Sequence, residues 1–203
     1  DTLLTPQWLD RLFATMLSNP DIAVVGPLSN TASWQSVPEL SEGNDWAENP
    51  LPENIDLSDY SAWIAKYSGC LRPVVPLLNG FCMLVNRQAA EMVGYFDEES
   101  FPRGYGEEDD FNLRISKLGK RLAIADDAFV YHAQSKSYSS ARRTEISSQS
   151  AITLKRKHSE EVIHNAVSAM HPNRVLAGIR ARVSANLNRE MKVRSGQQRF
   201  QGK

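Results

Sequence analysis

The sequence predicts an α/β domain with a helical C-terminal extension, on three observations. First, a helical apolar period through Trp8, Leu9, Leu12, Phe13, Met16 and Leu17 leads into the β-branched run Ile22-Ala23-Val24-Val25-Gly26. Second, the apolar run Phe81-Cys82-Met83-Leu84-Val85 precedes a short helical stretch, Arg87 to Val93. Third, a helix with Phe111, Ile115 and Leu118 on one face precedes two strand candidates, Arg121 to Ile124 and Ala128 to Tyr131. Strands alternating with helices build the layered α/β architecture in which helices cover a sheet.

Local chemistry supports each element. Thr5 is a good N-cap and Pro6 suits a first helical position, so the opening helix is expected to start there and to close at Pro20. The strand from Ile22 empties into the polar loop Ser29-Asn30-Thr31. From Ser36 to about Ser58 prolines and acids break every period, which predicts a long surface loop, of a length usual for functional lids or disordered segments. Asn79-Gly80 introduces the next strand, where a glycine admits a close backbone neighbour, and Gly94 ends the helix that follows. A glycine-punctuated loop, Pro102 to Gly106, opens the third helix, which ends near Gly119, and Asp126-Asp127 reads as a turn between the last two strands. Beyond His132 comes a polar stretch, Ser135 to Tyr138, and then helical sequence with a partial apolar face from Ile152, Val162, Ile163, Val167 and Met170.

Composition narrows the function classes. The chain has 203 residues, 41 % hydrophobic and 23 % charged, with a formal net charge of −1, which suits a core-forming domain and excludes disordered and fibrous classes. That neutrality hides a split: residues 1–140 carry 10 Lys and Arg against 20 Asp and Glu, and residues 141–203 carry 13 against 4. An acidic body argues against nucleic acid as a partner, and the basic tail permits peripheral contact with an anionic membrane surface. No apolar run approaches the roughly 20 residues of a spanning helix, so a cytoplasmic location is expected, with the tail able to touch the inner face of the membrane. Cys70 and Cys82 lack zinc or redox spacing and are expected to be buried thiols.

The densest chemistry is Glu107-Glu108-Asp109-Asp110 at the start of a helix. One or two acids there would serve the helix dipole, but four repel one another. The glycine loop before them and His132 at a strand end after them point to a site. Asp110 and Arg114 stand one helical turn apart, as an ion pair would.

These residues also carry a resemblance. Asp1-Thr2, Thr5-Pro6-x-Trp8-Leu9, Val25-Gly26-Pro27 with Ser29-Asn30, Leu78-Asn79-Gly80-Phe81, and Gly104-Tyr105-Gly106-Glu107-Glu108-Asp109-Asp110-Phe111 with Arg114 match one family in order and spacing. Together they resemble the second half of family-2 glycosyltransferases with the GT-A fold, over about residues 1 to 140. The resemblance implies that the nucleotide-gripping half of the domain lies upstream of Asp1. It also likens the basic tail, 141–203, to helical extensions of bacterial members that make polysaccharide.

Carried onto this chain, the resemblance implies an inverting transfer from a nucleotide-diphosphate-sugar to a glycan or lipid-linked acceptor. Asp1, as the end of an Asp-x-Asp-type motif, and His132 would hold a divalent cation, Mn²⁺ or Mg²⁺. Glu108 would be the catalytic base, with Asp109 its rival and Glu107 beside them raising its affinity for the proton. Gly80, Phe81 and Lys136 would face the donor. Asn30, Trp34 and Tyr105 would face the acceptor, with Trp46 and Trp63 as further stacking candidates. The reading from another class is a noncatalytic carbohydrate-binding or scaffolding piece that keeps the fold.

Overall fold

The computed structural model describes residues 1–43, 45–133, 140–171 and 173–201 and is mixed α/β. The elements are β1 (Thr2–Leu3), α1 (Trp8–Leu17), β2 (Ile22–Leu28), a 3₁₀ turn (Ser33–Gln35), β3 (Ser41–Glu42), β4 (Asp45–Trp46), α2 (Leu57–Ser68), β5 (Val74–Val75), β6 (Leu84–Val85), α3 (Arg87–Val93), α4 (Glu107–Lys117), β7 (Arg121–Phe129), β8 (Tyr131–His132), α5 (Ser140–Met170) and α6 (Arg174–Gln201). The main sheet has the order β5-β7-β2-β6, with β2 and β7 parallel at its centre and antiparallel strands at its edges.

All seven residues of β2 are buried, which is why the strand reads as an uninterrupted apolar run. Alternation along β7 then divides the core into two. Ala123 and Ala125 face α1, joining Leu12, Ile22 and Val25, while Leu122 and Ile124 face a larger cluster on the other side of the sheet. That larger cluster contains Tyr60 and Ile64 of α2, Phe111 and Ile115 of α4, and Met170, Ile179, Val183 and Leu187 of the tail. The basic tail therefore shares a core with the body.

Several local expectations change. α1 begins at Trp8 because the Thr5 hydroxyl is used elsewhere: it donates to the carbonyl of Phe129, and Gln7 in a left-handed conformation (φ 62°) precedes the helix. Leu9, Phe13 and Leu17 are exposed, so only part of the apolar stripe faces the core. Of Phe81 to Val85, only Leu84 and Val85 pair with β2, since the side chain of Asn79 accepts from the Phe81 N–H and turns the chain before it reaches the sheet. The segment from Arg121 is one strand, without a turn at Asp126-Asp127. Pro27 and Leu28 pair with Ala125 and Phe129, and the residues in between are accommodated as an irregularity. Asp126 is buried in that irregularity and accepts from the backbone N–H groups of Leu71 and Arg72.

The expected loop from Ser36 to Ser58 contains the small β3–β4 hairpin and yields to α2, whose N-cap Asp56 accepts from Ser58 N. Cys70 is exposed, where the chain leaves α2 past Gly69, and Cys82 is partly buried. α3 matches its predicted span, capped by Asn86 and stopped at Gly94. α5 breaks at Ser159 (φ 62°), and Ile152, Val162 and Val167 are exposed, so of the expected apolar face Met170 is buried and Ile163 packs partly buried against the core. No helix among the described residues is long and apolar enough to cross a membrane.

Candidate active site

Pairing of β1 with β8 brings the start of the described chain beside its last core strand. Thr2 faces His132 and Leu3 faces Tyr131, and Ala133 N donates to the carbonyl of Asp1. As a result the Asp1 carboxylate lies 3.4 Å from Nε2 of His132. The imidazole is held from three sides. Its Nδ1 donates to the carbonyl of Thr31 at 2.9 Å, its backbone N–H donates to Oδ1 of Asn30 at 2.7 Å, and the Phe81 ring stacks on it at 5.3 Å with planes 25° apart. With Nδ1–H committed to a carbonyl, Nε2 is the nitrogen turned toward Asp1.

That donor set fits a divalent cation in part. A carboxylate oxygen and an imidazole nitrogen face each other near the about 3 Å that separates adjacent ligands of an octahedral ion. The histidine also has the carbonyl partner on its far nitrogen that metal-binding histidines use. Among the described residues no third histidine, cysteine or carboxylate completes the set. Two protein ligands leave positions for phosphate oxygens and water, the arrangement Mg²⁺-type ions favour with nucleotides.

Asp1 and His132 line a cleft of about 1110 Å³ whose wall also holds Tyr105, Glu107 and Glu108. That stretch of wall is built by the loop before α4, where Gly104, Tyr105 and Gly106 all have positive φ (77°, 62° and 108°). Two of these positions suit glycine, and Tyr105 is held in a region that costs a non-glycine residue about 1 kcal/mol or more. The Glu108 carboxylate accepts from Gly106 N at 3.0 Å, which fixes it at the end of the helix. Its other neighbour is Gly80. A Cβ there would stand 3.1 Å from Cβ of Glu108, so the missing side chain makes room for that glutamate.

Electrostatic crowding falls on the flanking acids. Burial, and then the charge of Glu108, push Glu107 above the usual carboxylate range. One of its oxygens is buried with no hydrogen-bond partner among the described residues. Burial followed by the charges of Glu108 and Glu107 push Asp109 up to about 7. Asp110 turns inward. Burial alone would raise it, but hydrogen bonds from His158 and Arg114 outweigh that and hold it below its ordinary value.

The structure therefore gathers Asp1, His132, Gly80, Phe81, Tyr105, Glu107 and Glu108 around one cleft. Asp109 and Asn30 do not line it. Asn30 is buried, and its amide is spent on the backbone of His132 and on the carbonyl of Glu48, so it positions the imidazole. Trp34 stands behind Trp46, edge-on at 4.9 Å, and it is Trp46 that lines the cleft; Trp63 packs against the core. Lys136 lies outside the described residues.

Sequence reasoning passed over Gln35, which is 1 % exposed. Its amide donates to Pro27 O and accepts from Asn79 N, fastening the loop that presents Gly80 to the central strand. Gly26 is the matching signal, since a Cβ there would stand 2.6 Å from the Gln35 amide nitrogen. No protein-family model matches the chain, and a search of curated proteins returns no match.

Proposed function

We propose that this chain forms the metal and acceptor side of a GT-A-type, divalent-cation-dependent inverting glycosyltransferase. The reaction would move a sugar from a nucleotide-diphosphate-sugar to a hydroxyl of a glycan or lipid-linked acceptor. The observation that carries this reading is the convergence of Asp1, His132 and Glu108, remote along the sequence, on a single cleft. A cation held there, Mn²⁺ or Mg²⁺, would supply charge neutralisation for the departing diphosphate, taking the place of a general acid.

The chain's own residues then have distinct tasks. Asp1 and His132 would hold the cation and through it orient the diphosphate. Glu108 would accept the proton of the acceptor hydroxyl as its oxygen bonds to the anomeric carbon. The bond from that carbon to the diphosphate breaks, and the electron pair leaves with the phosphate. Glu108 is favoured over Asp109 because it lines the cleft and its carboxylate is oriented by Gly106 N. Phe81 and Asn30 keep the imidazole in place, and Trp46 offers an aromatic face to a sugar ring.

Sugar transfer by the Glu108→Gln protein tests the assignment. The amide keeps the shape and loses the base, so the rate should fall by about 10²- to 10⁴-fold. Transfer retained within about tenfold would remove Glu108 from the role.

A further inference from the structure

A second cavity, of about 610 Å³, lies beside the first. The two share Gly104, and the first half of α5 walls both: Ser147, Ser148 and Ala151 line the cleft, while Gln149, Ser150 and Thr153 line the second cavity. The opposite wall is the segment from Glu99 to Gly104. These walls are fitted to each other. At Gly106 (φ 108°) a Cβ would stand 3.2 Å from Cβ of Ser150 and 3.3 Å from the Leu154 side chain, so the loop carrying Tyr105 rests directly on α5.

The lining has a consistent chemistry. Phe101 and Ile146, 4 % and 3 % exposed, form an apolar floor. Above it stand hydroxyls, the Gln149 amide, the Glu99 and Glu145 carboxylates and the Arg103 guanidinium. Sugar hydroxyls are at once donors and acceptors, and a mixed wall of this kind satisfies both roles, while the floor suits the C–H face of a pyranose. An aliphatic lipid chain would cover those polar groups without offering them hydrogen bonds.

Position gives the cavity its meaning. It meets the cleft at Gly104, beside the Glu107 carboxylate and four residues before Glu108, and includes neither Asp1 nor His132, so a molecule presenting a hydroxyl to Glu108 has room to extend into it. We propose that the channel between residues 99–104 and α5 is a saccharide subsite holding the acceptor beyond its reacting sugar, which makes the acceptor an oligosaccharide chain. This inference rests on the transferase reading of the cleft. It adds that the C-terminal extension selects acceptor length.

The experiment is a calorimetric titration of the 203-residue chain, in UDP and Mn²⁺, with mono- to tetrasaccharides of glucose, N-acetylglucosamine, mannose and rhamnose. In at least one series, affinity should rise about tenfold or more between mono- and trisaccharide, the gain that two or so net hydrogen bonds supply. Gln149→Trp, which fills the channel from an exposed helix position, should abolish that gain, with its circular dichroism verifying the fold. Affinity that ignores length in every series, a gain that survives Gln149→Trp, or no saccharide binding at all would each overturn the subsite. The underlying reading is tested separately by stabilisation of the wild-type chain with UDP and Mn²⁺. Length-dependent saccharide binding without that stabilisation would keep the channel as a saccharide site and discard the transferase, and with it the acceptor role.

Discussion

Asp110 and His158, 48 positions apart, meet at 2.7 Å with side chains 0 % and 9 % exposed. Lys157 also reaches Asp110, at 3.2 Å, and bonds Asp97, while Arg114 grips the other Asp110 oxygen and the carbonyls of Val93, Gly94 and Tyr95. Two residues after the proposed base, α4 is thus tied to the tail on one side and to the α3 turn on the other.

Removing the anion at the centre of this cluster should be costly, because three cationic or donor groups lose their common partner. Asp110→Ala is expected to lower the unfolding free energy by about 3–5 kcal/mol, and His158→Ala by about 1–3 kcal/mol. The double variant should cost less than the sum, since both changes break one contact. Chemical denaturation measures all three, and strictly additive losses would deny the coupling. Asp110 and Asp97 are both held below their ordinary values, Asp97 chiefly by the hydrogen bond from Lys157. Their stabilisation is therefore complete above the unfolded value of about 4 and is lost as pH falls toward the folded ones. Wild-type protein should lose more stability below about pH 4 than Asp110→Asn does.

Asp109 carries the opposite sign. Burial and its acidic neighbours raise it to about 7, so its effect on stability is favourable at low pH and is lost as pH rises from about 4 through 7. Asp109→Asn removes the charge at constant shape. Because the residue keeps some contact with solvent, a gain of only about 1 kcal/mol is expected at pH 8, shrinking toward zero at pH 4. Melting curves at the two pH values decide it, and an equal effect at both would contradict the assignment.

Gly80→Ala should separate function from folding. The added methyl would press on Glu108 at 3.1 Å, and the carboxylate can yield only by leaving its bond to Gly106 N. Sugar transfer should drop at least about tenfold with a stability change under about 1 kcal/mol, since small misplacements of a base cost rate steeply. Unchanged transfer would mean that Glu108 tolerates displacement and is not held in a working geometry.

Much of the fold was legible because its signals are local. The buried run at β2, the Gly94 stop of α3 and the apolar face of α4 all stand in short windows of sequence. The failures share one cause, long-range partners that override local preference. Thr5 reads as a cap yet bonds Phe129, and Asp126 reads as a turn yet binds Leu71 and Arg72 inside a strand. α2 carried its own signals, Asp56 at the start and Gly69 at the end, masked by the proline-rich loop before it. In the candidate site, Asp1, His132 and Glu108 could be named from motifs. Gln35 and His158 could not, because a buried glutamine and a histidine within Lys-His look like solvated side chains until their partners are known.

On the proposed function, the Asp1 carboxylate and the His132 imidazole, 3.4 Å apart, hold a cation for a nucleotide-sugar diphosphate. The most direct measurement is the melting temperature of the chain with nucleoside diphosphates (UDP, GDP or dTDP), with and without Mn²⁺, for wild type and His132→Ala. One diphosphate with Mn²⁺ at about 100 times its Kd should raise the wild-type melting temperature by about 5 °C or more, and His132→Ala should abolish the rise. No Mn²⁺-dependent rise with any of the three, or an equal rise in His132→Ala, would mean that these two residues hold no cation for a diphosphate.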